Sequence, residues 1–264
     1  MNTGIPLYRL GDCLPAVFLS RPNRFVIRAE IDGKEALCHL HDSGRLGELL
    51  FPGNRITVRK AENGERRKTL YDVLSAVADD GEEILINSSL HRVLSETLLR
   101  NPEISPFGEI HSLRAEVKSG DSRVDFLLEK SRGVCLENIW VEVKGVSLSL
   151  GKTAMFPDAP SERAVRHLHN LMRLRQEGDR AAVLLLILRD ALSFRPRFET
   201  DPAFHEAFYE AMASGVEFFP VQLSLERGVV YFREKRISII TKRGITAPCQ
   251  YEMKNEKRKT FMKK

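Results

Sequence analysis

No apolar run in this chain reaches the ~18–20 residues that a membrane span needs, so no transmembrane helix is expected. The opening Met1-Asn-Thr-Gly-Ile-Pro6 lacks the pattern of a secretory signal, and a cytoplasmic protein is the expectation. Cysteine is sparse. Cys13, Cys38, Cys135 and Cys249 show no C-x-x-C spacing, which points to reduced thiols rather than bridges or a zinc site. There is no internal repeat and no Gly-rich phosphate loop of the Walker kind. The absence of a helix-turn-helix signature predicts little base-specific readout of DNA.

What is present describes a globular protein. Of 264 residues, 42% are hydrophobic and 29% charged, enough for one large or two ordinary domains. The net charge of +5 changes meaning once it is located. Lys254–Lys264 carries six basic residues and one acid, so the remaining chain is neutral. Any affinity of the folded body for nucleic acid must therefore come from local patches. The basic tail, 246–264, is expected to be disordered.

Residues 1–86 read as all-β. Leu14–Leu19, Phe25–Ile31, Lys34–Leu40, Ile56–Arg59, Leu70–Val77 and Glu83–Ile86 are expected strands. Asp32-Gly33 is a two-residue hairpin turn. This many short strands in so few residues fits a small OB-like barrel, an architecture that binds single strands or oligosaccharides in other proteins. Arg21 and Arg24 head a basic cluster that could track phosphates or simply be solvated.

From 87 to 245 the pattern changes. A helix capped by Ser88 or Ser89 is expected to run to about Arg100, with Leu90, Val93, Leu94, Thr97 and Leu98 inward and Glu96 off that stripe. Three alternating runs follow: Leu113–Lys118, Ser122–Leu128 and Ile139–Lys144. Side chains two apart share a strand face, so Glu116 lies beside Lys118, Arg123 beside Asp125 and Glu142 beside Lys144. If the strands pair as a meander, two carboxylates and a lysine converge, a set suited to a divalent cation. An exposed sheet face bearing salt bridges would show the same alternation.

A second helix is expected from Ser161 to about Gly178, capped by Ser161 or Asp158. Its apolar stripe is Val165, Leu168, Leu171 and Met172; Arg163, Arg166 and His167 lie toward a different, basic side. Ala181–Leu188 reads as a doubly buried strand. A third helix opens at Asp201-Pro202, and Val216–Leu225 and Val229–Ile240 read as closing strands. The order from Ser88 to Leu188 is thus α-β-β-β-α-β.

That order, with Asp125 seventeen residues before Glu142-Val-Lys144, resembles the PD-(D/E)XK nuclease-like superfamily. Ser122-Arg-Val-Asp-Phe126, Val141–Ser147, Phe156–Arg163 and His167-Leu168 resemble the sugar fermentation stimulation protein A family. So does Arg21-Pro-Asn-Arg-Phe25 in the first half. The family's Pro-Asn-Thr-Gly stands here as His41-Asp42-Ser43-Gly44.

The resemblance implies an α/β plus all-β fold: an OB-like barrel (1–86), a nuclease-like domain (87–245) and a tail (246–264). It implies Asp125, Glu142 and Lys144 as the catalytic set. The metal ligands would be Asp125 and Glu142, with Glu96 on the first helix as an additional acid, holding Mg²⁺ or Mn²⁺. Arg21, Arg24, Arg163, Arg166 and His167 would grip nucleic acid, DNA before RNA, with no membrane partner. Glu116, Lys118, Asp158 and Glu162 would form the periphery. Homodimerisation stays open. Two functions remain: a sequence-nonspecific DNA-binding protein with a Mg²⁺-dependent phosphodiester-hydrolysing site, or a non-catalytic DNA-binding regulator of sugar (maltose) catabolism.

Overall fold

The computed structural model describes residues 4–62, 67–133, 135–242, 244 and 246–247. Residues 63–66 and the tail beyond Ala247, with Cys249, lie outside the described residues.

Five strands close a barrel: β2 (Leu14–Asn23), β3 (Val26–Ile31), β4 (Lys34–His39), β5 (Arg55–Lys60) and β6 (Tyr71–Val77), with β7 (Glu83–Leu85) added at the edge of β6. A parallel pairing of β4 with β6, at Cys38–Tyr71 and His39–Asp72, completes the closure. The β3–β4 register is set by Asp32-Gly33. Both residues take positive φ, as a tight two-residue hairpin demands, and glycine takes it without a steric penalty. Alternation puts Ile27, Ala29 and Ile31 inside and leaves Arg28 and Glu30 outside.

The second part is built on a seven-stranded sheet. Its strands are β1 (Ile5–Arg9), β8 (Ser112–Ser119), β9 (Ser122–Arg132), β10 (Cys135–Val146), β13 (Arg180–Ile187), β15 (Glu217–Glu226) and β16 (Val229–Arg233), in the order β1-β16-β15-β13-β10-β9-β8. The β10–β13 and β13–β15 pairs are parallel. β13 therefore lies in mid-sheet, and every residue after Arg180 is buried, as a doubly covered strand requires. Helix α1 (His91–Arg100) packs in one core with the barrel. Helices α2 (Glu162–Gln176) and α3 (Pro202–Ala213) share the other core with a small second sheet. That sheet contains β11 (Leu148–Leu150), β12 (Thr153–Phe156), β14 (Ser193–Pro196), β17 (Ser238–Ile240) and β18 (Thr246–Ala247).

Three expectations are corrected. Residues 5–9, counted within the barrel span of 1–86, form β1 and pair with β16 at the far end of the chain. The first helix is capped neither by Ser88 nor by Ser89. Asn87 accepts the Ser89 N–H and opens a short 3₁₀ turn that leads into α1. Val229–Ile240 is not one strand but two, in different sheets.

The two parts meet through polar links. Asp158 Oδ2 accepts the Leu46 N–H at 2.6 Å, and Ser88 Oγ donates to the His41 carbonyl at 2.6 Å. Arg189, buried at the end of β13, reaches Asp80 at 3.2 Å and Glu82 at 3.5 Å in the β6–β7 hairpin. Among the described residues no helix is long and apolar enough to cross a membrane.

Candidate functional site

The β9–β10 ladder pairs Phe126 with Val141. One residue further, Asp125 Oδ2 accepts the Val143 N–H at 2.7 Å, which brings its carboxyl beside Glu142. Glu142 is only 2% exposed. A buried carboxylate needs partners, and Glu142 Oε1 has two. Lys144 Nζ donates at 2.6 Å, and His167 Nδ1 contacts the same oxygen from α2.

The two carboxyls respond differently. Burial pushes Asp125 up, the facing Glu142 adds to it, and its pKa reaches about 6 despite the Val143 N–H and Lys144. Burial also works against ionised Glu142, but Lys144 and His167 outweigh it and hold this group below the usual carboxylate range. The hydrogen bonds engage one oxygen of each carboxyl. Asp125 Oδ1 and Glu142 Oε2 take none among the described residues.

Gly145 follows Lys144, and His91 at the start of α1 lies against it. A Cβ there would come within 2.6 Å of His91 Nε2 and 2.9 Å of Nδ1, so glycine alone fits without a shift. His91 Nε2 is buried without a hydrogen-bond partner among the described residues. Burial, with Lys144 adding to it, pushes this imidazole down to about 4, so it is neutral near pH 7. Opposite Asp125, the β8–β9 ladder skips Glu116 between Ala115–Phe126 and Val117–Val124. Glu116 takes φ +56° there, in the sparsely populated left-handed region, and lines the same cleft.

This cleft, of about 1280 Å³, runs between the sheet and the barrel. The barrel wall is the β2–β3 hairpin tip and the loop Asp42–Leu46. Four exposed arginines line it: Arg24 and Arg45 from the barrel, Arg92 from α1 and Arg163 from α2. None has an acidic partner among the described residues. Elsewhere Arg28, Arg100 and Arg195 sit 2.8–3.0 Å from Glu35, Glu96 and Glu199.

The structure separates the expected site residues into groups. Asp125, Glu142 and Lys144 come together, and Glu116 and Asp158 line the cleft around them. Glu96 does not line it; its carboxylate pairs with Arg100 one helical turn away at 2.8 Å. Lys118 and Glu162 are exposed and outside the cleft, as is Arg166, which lies 3.7 Å from Glu162. Arg24 is exposed, Arg163 is exposed but donates from Nε to His167 Nε2 at 3.4 Å, and Arg21 points inward. Its guanidinium donates to the carbonyls of Arg45 at 2.7 Å, Arg24 at 2.8 Å and Asp42 at 3.3 Å. It braces the two segments that carry exposed arginines. His167, expected on the basic face of α2, is buried and holds Glu142 instead.

Sequence reasoning missed His91, Arg45 and Arg92, and the positioning role of His167. The buried row of α2 is Ala164, His167, Leu168, Leu171 and Leu174, so the i, i+3, i+4, i+7 pattern passes through the histidine. That spacing was the available signal.

The donor set fits a hard divalent cation in part. Two adjacent carboxyls with an open oxygen each, one of them raised by the other's charge, are the arrangement such an ion relieves. No group of three or more His, Cys, Asp or Glu side chains that could hold a metal occurs among the described residues. A cation here would need backbone carbonyl or water oxygens as well.

Comparison with known proteins agrees with this architecture. A family model described as the sugar fermentation stimulation protein RE domain matches residues 89–228, and one described as the SfsA N-terminal OB domain matches residues 19–86. A sugar fermentation stimulation protein homolog of Methanococcoides burtonii is 43% identical over 227 residues, covering 83% of this chain and 90% of its own. One from Thermosipho melanesiensis is 35% identical over 229 residues, covering 87% and 96%. Among solved structures, Pyrococcus furiosus SfsA in complex with Ca²⁺ is similar at a TM-score of 0.79 and 29% identity, covering 89% of this chain and 99% of that one.

Proposed function

The chain belongs to the sugar fermentation stimulation protein family, and we propose that it is a largely sequence-nonspecific DNA-binding protein with a metal-dependent phosphodiester-hydrolysing site. The observation that carries this reading is the pairing of Asp125 with Glu142 beside Lys144, in a cleft lined by four exposed arginines that have no acidic partner among the described residues. The Ca²⁺ complex of the Pyrococcus furiosus relative supports a divalent site, which we assign to Mg²⁺ or Mn²⁺ in action. The protein would act in the cytoplasm.

Asp125 and Glu142 would hold the cation. Bound there, the ion would polarise a phosphate oxygen and acidify a water. Lys144, which donates to Glu142, would orient a water or steady negative charge as it develops. His167 keeps the Glu142 carboxylate turned toward the cleft, and Gly145 lets α1 close against the end of β10. Arg24, Arg45, Arg92 and Arg163 would hold phosphates and set position rather than sequence. The test is cleavage of labelled single- and double-stranded DNA with and without Mg²⁺ or Mn²⁺. Metal-dependent cutting that Asp125→Ala abolishes supports the reading; no cutting, or equal cutting by the variant, removes it.

A second reading has its own observation. Lys144 already pairs with Glu142 and His167 hydrogen-bonds it, and no third acid joins the pair among the described residues. A non-catalytic DNA-binding regulator of sugar catabolism would keep the arginine ring and lose the chemistry. Salt-dependent DNA binding without cleavage would select it.

A further inference from the structure

The tip of the β2–β3 hairpin is a two-residue turn, Arg24-Phe25, between the paired residues Asn23 and Val26. Phe25 is 47% exposed, an unusual fate for a large apolar ring. It is not a loose tip. The Asn23 side chain accepts the Phe25 N–H at 2.9 Å, the Phe25 carbonyl accepts the Leu40 N–H at 2.9 Å, and Arg21 holds the Arg24 carbonyl. The ring lies near-parallel to the His39 imidazole, at 23° and 6.4 Å between centroids. The backbone that presents this aromatic face is therefore fixed, beside an arginine with no acidic partner among the described residues, in the cleft that contains Asp125 and Glu142.

We infer that Phe25 is a base-stacking platform and that the cleft takes single-stranded DNA, with the strand running from the barrel tip toward the carboxylate pair. A π-face offered to solvent is matched by the face of an unpaired base, and in a duplex those faces are already stacked. Arg24 and Arg45 lie where the backbone of such a strand would pass, so stacking and phosphate contact act on the same nucleotides. A protein partner would need a broader apolar surface than one ring flanked by charge. This inference rests on the nucleic-acid reading of the cleft but not on catalysis.

The experiment measures binding of the full chain to a fluorescent single-stranded DNA oligonucleotide and to its duplex, with EDTA present so that cleavage plays no part. Single strands should bind more tightly than duplex. Phe25→Ala should weaken single-strand binding about 5- to 100-fold, as loss of one base–aromatic stack does, and leave duplex binding and the melting temperature unchanged. Phe25→Trp should restore affinity, and its fluorescence should be quenched by the oligonucleotide. Equal binding of strand and duplex, wild-type affinity in Phe25→Ala, or no binding at all would overturn the inference. Failure of metal-dependent cleavage would leave it standing, so the two readings fail separately.

Discussion

On the sheet wall of the cleft, the chemistry-bearing side chains are interlocked. Glu142 is held by Lys144 and His167, Asp125 by the Val143 N–H, and His91 by packing against Gly145. On the barrel wall, Arg24, Arg45 and Phe25 stand in solvent, and what is fixed is the backbone beneath them, by Arg21 and Asn23. The first wall fixes individual atoms by hydrogen bonds and packing and carries buried charge to do so. The second fixes only where a group is presented. Substitutions on the sheet wall should therefore move stability and chemistry together. Those on the barrel wall should move binding alone.

The sharpest way to break that contrast is at Lys144. Lys144→Ala should lower metal-dependent cleavage by about 10²- to 10³-fold, the usual cost of one preorganised charge-stabilising donor, whereas Phe25→Ala should leave the rate on saturating substrate unchanged. Single-turnover kinetics separate the two. Next comes Gly145→Ala, which drives a methyl into the His91 ring. It should cost about 1–3 kcal/mol by overpacking, seen as an earlier denaturation midpoint; a wild-type midpoint would mean that His91 moves aside freely.

Asp125→Asn should act in the opposite direction. The folded carboxyl keeps its proton to about pH 6, whereas the ordinary value is 3.8. A raised acid makes the folded state bind more protons than the unfolded one. Its stability contribution thus falls as pH rises from about 4 to 6, and the cost is complete above that. Asparagine removes the charge and can still accept the Val143 N–H. Without metal, the variant should be more stable than wild type by about 1–2 kcal/mol at pH 7.5 and show little difference near pH 4, by urea denaturation. The smallest effect belongs to the arginines. Arg24→Ala and Arg45→Ala should each flatten the slope of log affinity against log salt by about 0.7–0.9, with no change in melting temperature.

Much of this was legible in the chain because its signals are local. The period-two runs place Glu142 with Lys144, and Arg123 with Asp125, on one face of their own strands without any knowledge of tertiary contacts, while the β9–β10 register is what brings the two sets together, and Asp32-Gly33 announces its hairpin by the backbone it needs. Other features depend on partners distant in sequence. β1 reads as barrel by position, yet its pairing with β16 brings together residues more than two hundred apart. His167 reads as part of a basic face because its neighbours are arginines, but only the packing of α2 on the sheet turns it toward Glu142. Arg21 and Arg24 look alike in a basic cluster, and only the Asp42–Arg45 loop distinguishes them, by giving Arg21 carbonyls to hold. Glu96 has the right element but meets Arg100 first.

The most direct measurement is a calorimetric titration of Mn²⁺ into metal-stripped wild type and into Asp125→Asn. The account predicts one divalent ion bound per wild-type chain and none bound at this position in the variant. The same isotherm for both, or no heat of binding to the wild type, would contradict it.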